Sequence, residues 1–210
     1  QGVYQTKKTT ASRADAIAHA TKKVITENMA EDPAFYERFS KLIQRAIDDF
    51  RAKRISDLDY LHQVVDLRNK LVGKVHDDIP ARLSGNEDAM AYFGVLKPFL
   101  AAAMDATDLD SQNTRNNPDE AQSSSALSVQ HSAFGEEATA DAALAIHGIL
   151  EKHKKVHFWD DEDAQKQAVN EIDDYLYDEL KTERGIELSL DQMDDIIEKV
   201  LQVAKHRSYN

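Results

Sequence analysis

The sequence predicts an all-α protein: six or seven helices in an irregular bundle, with two subdomains either side of a polar linker. Three observations carry that reading. Apolar residues recur at three- and four-residue intervals along most of the 210 residues. A good N-cap residue stands before nearly every such stripe. Only 7 glycines and 4 prolines occur, too few to punctuate a many-stranded sheet.

The first helix is expected over 12–29, with Ile17, Ala20, Val24, Ile25 and Asn28 on its inner face. Asp32-Pro33 opens the second, because Asp caps well and Pro at the first position forfeits no intrahelical bond. Its stripe, Phe35, Phe39, Leu42, Ile43, Ala46, Ile47 and Phe50, is the clearest in the chain. Ser56 and Asp59 form a capping box for a third helix bearing Leu58, Leu61, Val64, Val65 and Leu71, with Gly73 near its end. His76–Ser84 reads as a connection, after which Ser84 and Glu87 are expected to cap a fourth helix. Pro98 should kink or divide that helix.

Residues 107–132 are polar, Ser-rich and free of aromatics, which suggests a mobile linker between an N-terminal part, 1–106, and a C-terminal part, 133–210. A helix follows at 136–153 with Ala143, Ile146, Ile149 and Leu150 inward. Asp160 is the expected cap of a helix over 161–182, with Val169, Ile172, Leu176 and Leu180 inward. Ser189 and Gln192 start the last, whose stripe is Met193, Ile196, Ile197, Val200, Leu201 and Ala204.

Composition narrows the function classes. The absence of cysteine excludes a disulfide scaffold, a thiolate metal site and a cysteine nucleophile. No apolar run is long enough for a membrane span, and the first residues, QGVYQTKKTT, lack the apolar centre of a secretory leader. A cytoplasmic location is expected. Beginning at Gln1, the chain reads as a piece of a longer protein. No phosphate-binding GxxxxGK[ST], no GxGxxG and no GxSxG elbow is present, which removes the motif-bearing nucleotide enzymes and serine hydrolases.

The net charge of −12 is local. Residues 160–198 hold 15 acids and only Lys166, Lys181 and Arg184 as bases, while the rest of the chain has 23 acids and 23 bases. Such a run is usually the solvated side of amphipathic helices, and it also suits a basic partner. Two basic clusters oppose it: Arg38, Lys41, Arg45, Arg51, Lys53 and Arg54, and Lys152, Lys154 and Lys155. They are the candidate contacts to a nucleic-acid backbone, since Lys and Arg attract phosphate without reading sequence. Tyr36, Phe158, Trp159, Tyr175 and Tyr177 are of types enriched at binding hot spots and are docking candidates wherever they lie exposed. Two histidine arrangements allow metal chemistry. His76-Asp77 is the dipeptide of metal-dependent phosphohydrolases, which gives the alternative reading of a stand-alone helical phosphohydrolase. His153 and His157, near Asp160 and Asp161, have the i, i+4 spacing of a zinc pair, though Lys and His at a helix end also complement its dipole.

Two stretches carry more than pattern. EDPAFYERFSKLI (Glu31–Ile43) leads to RISDLDYL (Arg54–Leu61), and HKKVHFWDDEDAQKQAVNEIDDYLYDEL (His153–Leu180) leads to ELSLDQMDDIIEKVLQVAK. In this order they resemble the C-terminal helical region of the restriction, or motor, subunit of type I restriction–modification enzymes. The resemblance covers about 12–104 and 136–207. Asp59 and His157 stand where that family carries Glu and Asp. It implies a parent of bacterial defence, with a nuclease domain and ATP- and Mg-dependent motor domains, that translocates and cleaves duplex DNA. The nuclease and motor motifs are absent here. The resemblance therefore implies a non-catalytic module with no cofactor or metal of its own. It would dock the motor subunit onto the methyltransferase and specificity subunits and touch double-stranded DNA weakly.

Overall fold

The computed structural model describes residues 9–112 and 124–208, with side chains described outside 105–133. Among the described residues the fold is all-α, with no strand. Seven α-helices follow in order: α1 (Thr10–Asn28), α2 (Pro33–Arg51), α3 (Asp57–Val72), α4 (Glu87–Gln112), α5 (Ser124–His153), α6 (Glu162–Tyr175) and α7 (Leu190–Ser208). None is long and apolar enough to cross a membrane. The chain divides into two compact units, Gln1–Asp77 and Asp78–Asn210, each with its own core.

Unit 1 packs α1, α2 and α3 on one another. Thr9 caps α1 and Asp32 caps α2, each accepting a backbone N–H three residues on, at 3.1 and 3.0 Å. The expected capping box of α3 is present: the Ser56 hydroxyl accepts from Asp59 N–H and the Asp59 carboxylate accepts from Ser56 N–H, both at 3.2 Å. The aromatic stripe of α2 fills the core with Phe35, Tyr36, Phe39, Ile43 and Ala46. Tyr60 of α3 is fully buried, stacked on Phe50 with centroids 4.5 Å apart, and its hydroxyl donates to Asp15 Oδ1 at 3.1 Å.

Two inner faces differ from expectation. α1 buries Ala14, Ala18, Thr21 and Ile25, whereas Ala20 and Val24 face solvent. On α3 the buried residues are Tyr60, Val64 and Leu71, while Leu58 and Val65 are exposed. The packing face of α1 adds the small Ala14, Ala18 and Thr21 to Ile25, and that of α3 adds the amphipathic Tyr60 to Val64 and Leu71, residues that hydrophobicity weights less than the branched ones left outside.

Unit 2 is built on α4 and α5, which pack along each other. Asn86, not Ser84, caps α4: its Oδ1 accepts from Ala89 N–H at 2.9 Å. Gly85, at φ 87°, supplies the left-handed turn that sets Asn86 there. α4 runs unbroken past Pro98. α5 buries Ala138, Ala140, Ala142, Ala143, Ile146 and Leu150, and these alanines let the two backbones come close. Both helices run further than expected, α4 to Gln112 and α5 from Ser124, so 107–112 and 124–132 are helix, not linker. The remaining positions, 113–123, lie outside the described residues. The compact units divide at 77/78 and not around 107–132, because the two helices flanking that segment share one core.

Asp161, not Asp160, caps α6, accepting from Asp163 and Ala164 N–H at 3.0 and 3.1 Å. The helix expected over 161–182 is present, but from Leu176 to Glu183 it widens into a π-helix. That keeps Leu176 and Leu180 buried, and Gly185, at φ 66°, ends it. Ser189 and Gln192 form the expected reciprocal box at 3.2 and 2.9 Å, starting α7. Met193, Ile196, Ile197, Val200, Val203 and Ala204 face the core.

Candidate functional site

The basic cluster of unit 1 sits on α2 and the turn that follows it. There an open depression of about 570 Å³ is lined by Lys41, Arg45 and Arg54 together with Gln44, Asp48 and Asp49. Its cations are partly neutralised. Lys41 pairs with Glu37 at 2.8 Å, Arg54 with Asp49 at 2.9 Å and Arg45 with the same Asp49 at 3.9 Å. Arg38 meets Asp77 at 3.4 Å. Arg51 and Lys53 meet no carboxylate among the described residues, and Lys53 holds φ 55° in the turn after α2. Exposed pairs of this kind contribute 0 to about 1 kcal/mol each, so they restrain the side chains only weakly.

The second basic cluster is tied to acids more firmly. Lys152 Nζ reaches both carboxylate oxygens of Glu171 at 2.8 Å, and the His153 ring bonds to the same group at 2.7 Å. These contacts hold the Glu171 carboxyl below its ordinary range, Lys152 contributing most. Lys154 pairs with Glu151 at 3.1 Å. Only Lys155 of the three keeps no acid partner among the described residues.

The docking candidates separate by burial. Tyr36 and Phe158 are buried at 6% and 3% exposure, so they serve the cores and are not docking residues. Trp159 packs edge-on to Phe158 at 4.8 Å, and its indole N–H is buried without a partner. Tyr175 is half-buried against the core. Tyr177 alone of the five is exposed, with the Lys181 ammonium 5.4 Å above its ring.

The histidine arrangements are also resolved geometrically. The His76 ring packs on Phe35 at 4.4 Å, while the Asp77 carboxylate faces Arg38 and Lys70. α5 ends at His153, and His157 follows in a left-handed conformation, so the two do not share a helix face.

The acidic segment is the largest exposed charged feature of unit 2. Of its 15 acids, 13 are exposed; the half-buried pair, Glu171 and Glu179, are held by Lys152 and Arg184. Asp173, Asp174, Asp178, Glu187, Asp191 and Asp194 meet no cation among the described residues. They stand on the outer faces of α6, its π-helical continuation and α7, and in the short link before α7.

Two groupings were invisible in the sequence because their members lie far apart in it. Arg184, at the end of the π-helix, donates to Asp141 at 2.8 Å and to Glu179, and Arg82 reaches Asp141 at 2.7 Å. Burial opposes ionisation of Asp141, yet the two guanidiniums together hold its carboxyl below the ordinary value. Asp88 on α4 faces His147 and Glu151 on α5, while Arg207 of α7 holds Asp88 and pairs with Glu87 at 3.4 Å. Tyr92 lies beside this group; burial first, then the charge of Asp88, raises its phenol above the ordinary range. Comparison with known proteins adds no relative, since no family model, curated protein or solved structure matches the chain.

Proposed function

We propose that this chain is a non-catalytic assembly module from the C-terminal end of a type I restriction enzyme's motor subunit. It docks that subunit onto the methyltransferase–specificity core. The observation that carries the reading is the exposed acidic surface of 160–198, most of whose carboxylates meet no cation among the described residues. Like charges held together with no internal partner lower stability, and a basic partner surface relieves that cost while steering the encounter. The motifs D-P-x-F-Y-x-x-F-S and I-D-D-Y-L-Y-D support the family assignment. In the fold their aromatic and aliphatic residues, Phe35, Phe39, Ile172 and Leu176, are core. Tyr177, exposed next to the acids, is the aromatic anchor offered to the partner.

A weak second contact, to duplex DNA, fits unit 1. Arg51, Lys53 and Arg54 lie together where α2 ends, and Arg51 and Lys53 meet no acid among the described residues. Chemistry on the DNA belongs to the parent's nuclease and motor domains.

Competition tests the docking role. The folded chain, added in excess, should displace the full motor subunit from its cognate methyltransferase–specificity complex. A folded chain that neither binds nor competes contradicts the reading.

A further inference from the structure

We propose that Asp88, His147 and Glu151 form a binding site for a zinc-like divalent cation that clips α4 to α5. One atom from each side chain can serve as a ligand, and the three atoms lie within 4.8 Å of one another. His147 and Glu151 are one turn apart on α5, the i, i+4 spacing that lets two side chains of one helix face share an ion. Asp88 comes from the first turn of α4, across the helix pair.

Zinc binds nitrogen and carboxylate oxygen at about 2.0–2.2 Å, so its ligand atoms stand about 3.3 Å apart in a tetrahedron. The contraction required is at most about 1.5 Å from the 4.8 Å bound, and a rotamer change at the exposed Glu151 supplies it for the two distances that end on that carboxylate. Water supplies the fourth position, since the site opens to solvent on the Glu151 side. Tyr92, itself 3% exposed, lies beside His147, with ring centroids 6.4 Å apart.

Two neighbours bear on the charge balance. Arg207 donates from Nε to Asp88 Oδ1, which fixes the carboxylate and leaves Oδ2 for an ion. It therefore acts as the supporting partner that orients a ligand. Lys154 pairs with Glu151 at 3.1 Å, and both side chains are well exposed, so a divalent ion can displace the ammonium at little cost. One imidazole nitrogen and two carboxylates make up the ligand set. The imidazole selects a borderline metal over calcium or magnesium, which favour all-oxygen sets.

The experiment is zinc titration of the full chain by calorimetry, with melting followed in parallel. Wild type should take up one equivalent and melt at higher temperature when loaded. His147→Ala and Glu151→Gln should each weaken binding at least tenfold and remove the thermal gain. Both must match wild type in far-UV circular dichroism in chelator, which separates ligand loss from misfolding. Cobalt(II) loaded in place of zinc should give the strong visible absorption of a four-coordinate site in wild type, and His147→Ala should lose it. The double variant His153→Ala/His157→Ala should keep full affinity. No stoichiometric uptake by wild type, equal affinity in His147→Ala, or loss of binding in the double variant would overturn the proposal.

Discussion

Unit 1 and unit 2 are both helical, but they are held together differently and carry opposite charge. Unit 1 has 14 Lys+Arg against 11 Asp+Glu and unit 2 has 12 against 27, so they stand at +3 and −15. The core of unit 1 relies on large rings, Phe35, Tyr36, Phe39 and Tyr60, packed among three helices. The centre of unit 2 is a close helix pair lined by alanines, with branched residues of α6 and α7 laid over it. A ring-filled core is damaged by removing volume, and an alanine-lined one by adding it. The charge difference separates the surfaces in the same way: the phosphate-compatible cations belong to one unit, and the uncompensated acids to the other.

The largest effect is expected from Phe39→Ala in unit 1. It should cost about 3–5 kcal/mol, read as lost hydrogen-exchange protection in α1–α3. In unit 2 the matching change goes the other way. Ala143→Leu, at a position with no exposure, should cost about 1–3 kcal/mol by overpacking the core of unit 2. If Ala143→Leu is neutral, the close-packed account of unit 2 is wrong.

Alkaline titration sharpens the contrast at Tyr60. Burial, and then the hydrogen bond to Asp15, push its phenol up to about 12. An unfolded tyrosine ionises near pH 10, so the stability from keeping Tyr60 neutral is present below pH 10 and lost as pH rises toward 12. Tyr60→Phe should flatten that limb of the stability profile at a cost of about 1 kcal/mol at neutral pH.

How much of this was legible beforehand depended on where volume and charge sit along the chain. α2 and α7 were readable because branched and aromatic residues mark their inner faces at helical spacing. The packing face of α1 is rotated from the one its larger apolar residues mark, because Ala14 and Ala18 carry little hydrophobic signal although both are buried. The unit boundary is not legible in the sequence, because α4 and α5 meet across a polar stretch, a long-range contact that local composition cannot report. The acidic segment was visible as composition, and its exposure followed from the stripes beside it. The Asp88–His147–Glu151 group draws its members from positions about sixty residues apart and exists only once α4 and α5 pair.

Smaller effects follow from the charge division. Reversing Arg51, Lys53 and Arg54 to Glu should weaken duplex-DNA binding more than tenfold at low salt and reduce the salt slope by about 3. Reversing Lys152, Lys154 and Lys155 should change it less than twofold, because Glu171 and Glu151 already engage two of them. A larger loss from the second set would break the assignment of DNA contact to unit 1.

The central claim is that the acids of 160–198 meet a basic protein surface. Equilibrium binding of the chain to the methyltransferase–specificity complex proposed as its partner, measured against sodium chloride concentration, tests it most directly. Wild type should bind with an affinity that falls steeply with salt. Asp173→Lys/Asp174→Lys/Asp194→Lys should bind at least tenfold more weakly, with a flatter salt dependence. Binding that ignores both salt and the charge reversal, or no binding by the folded chain, would contradict it.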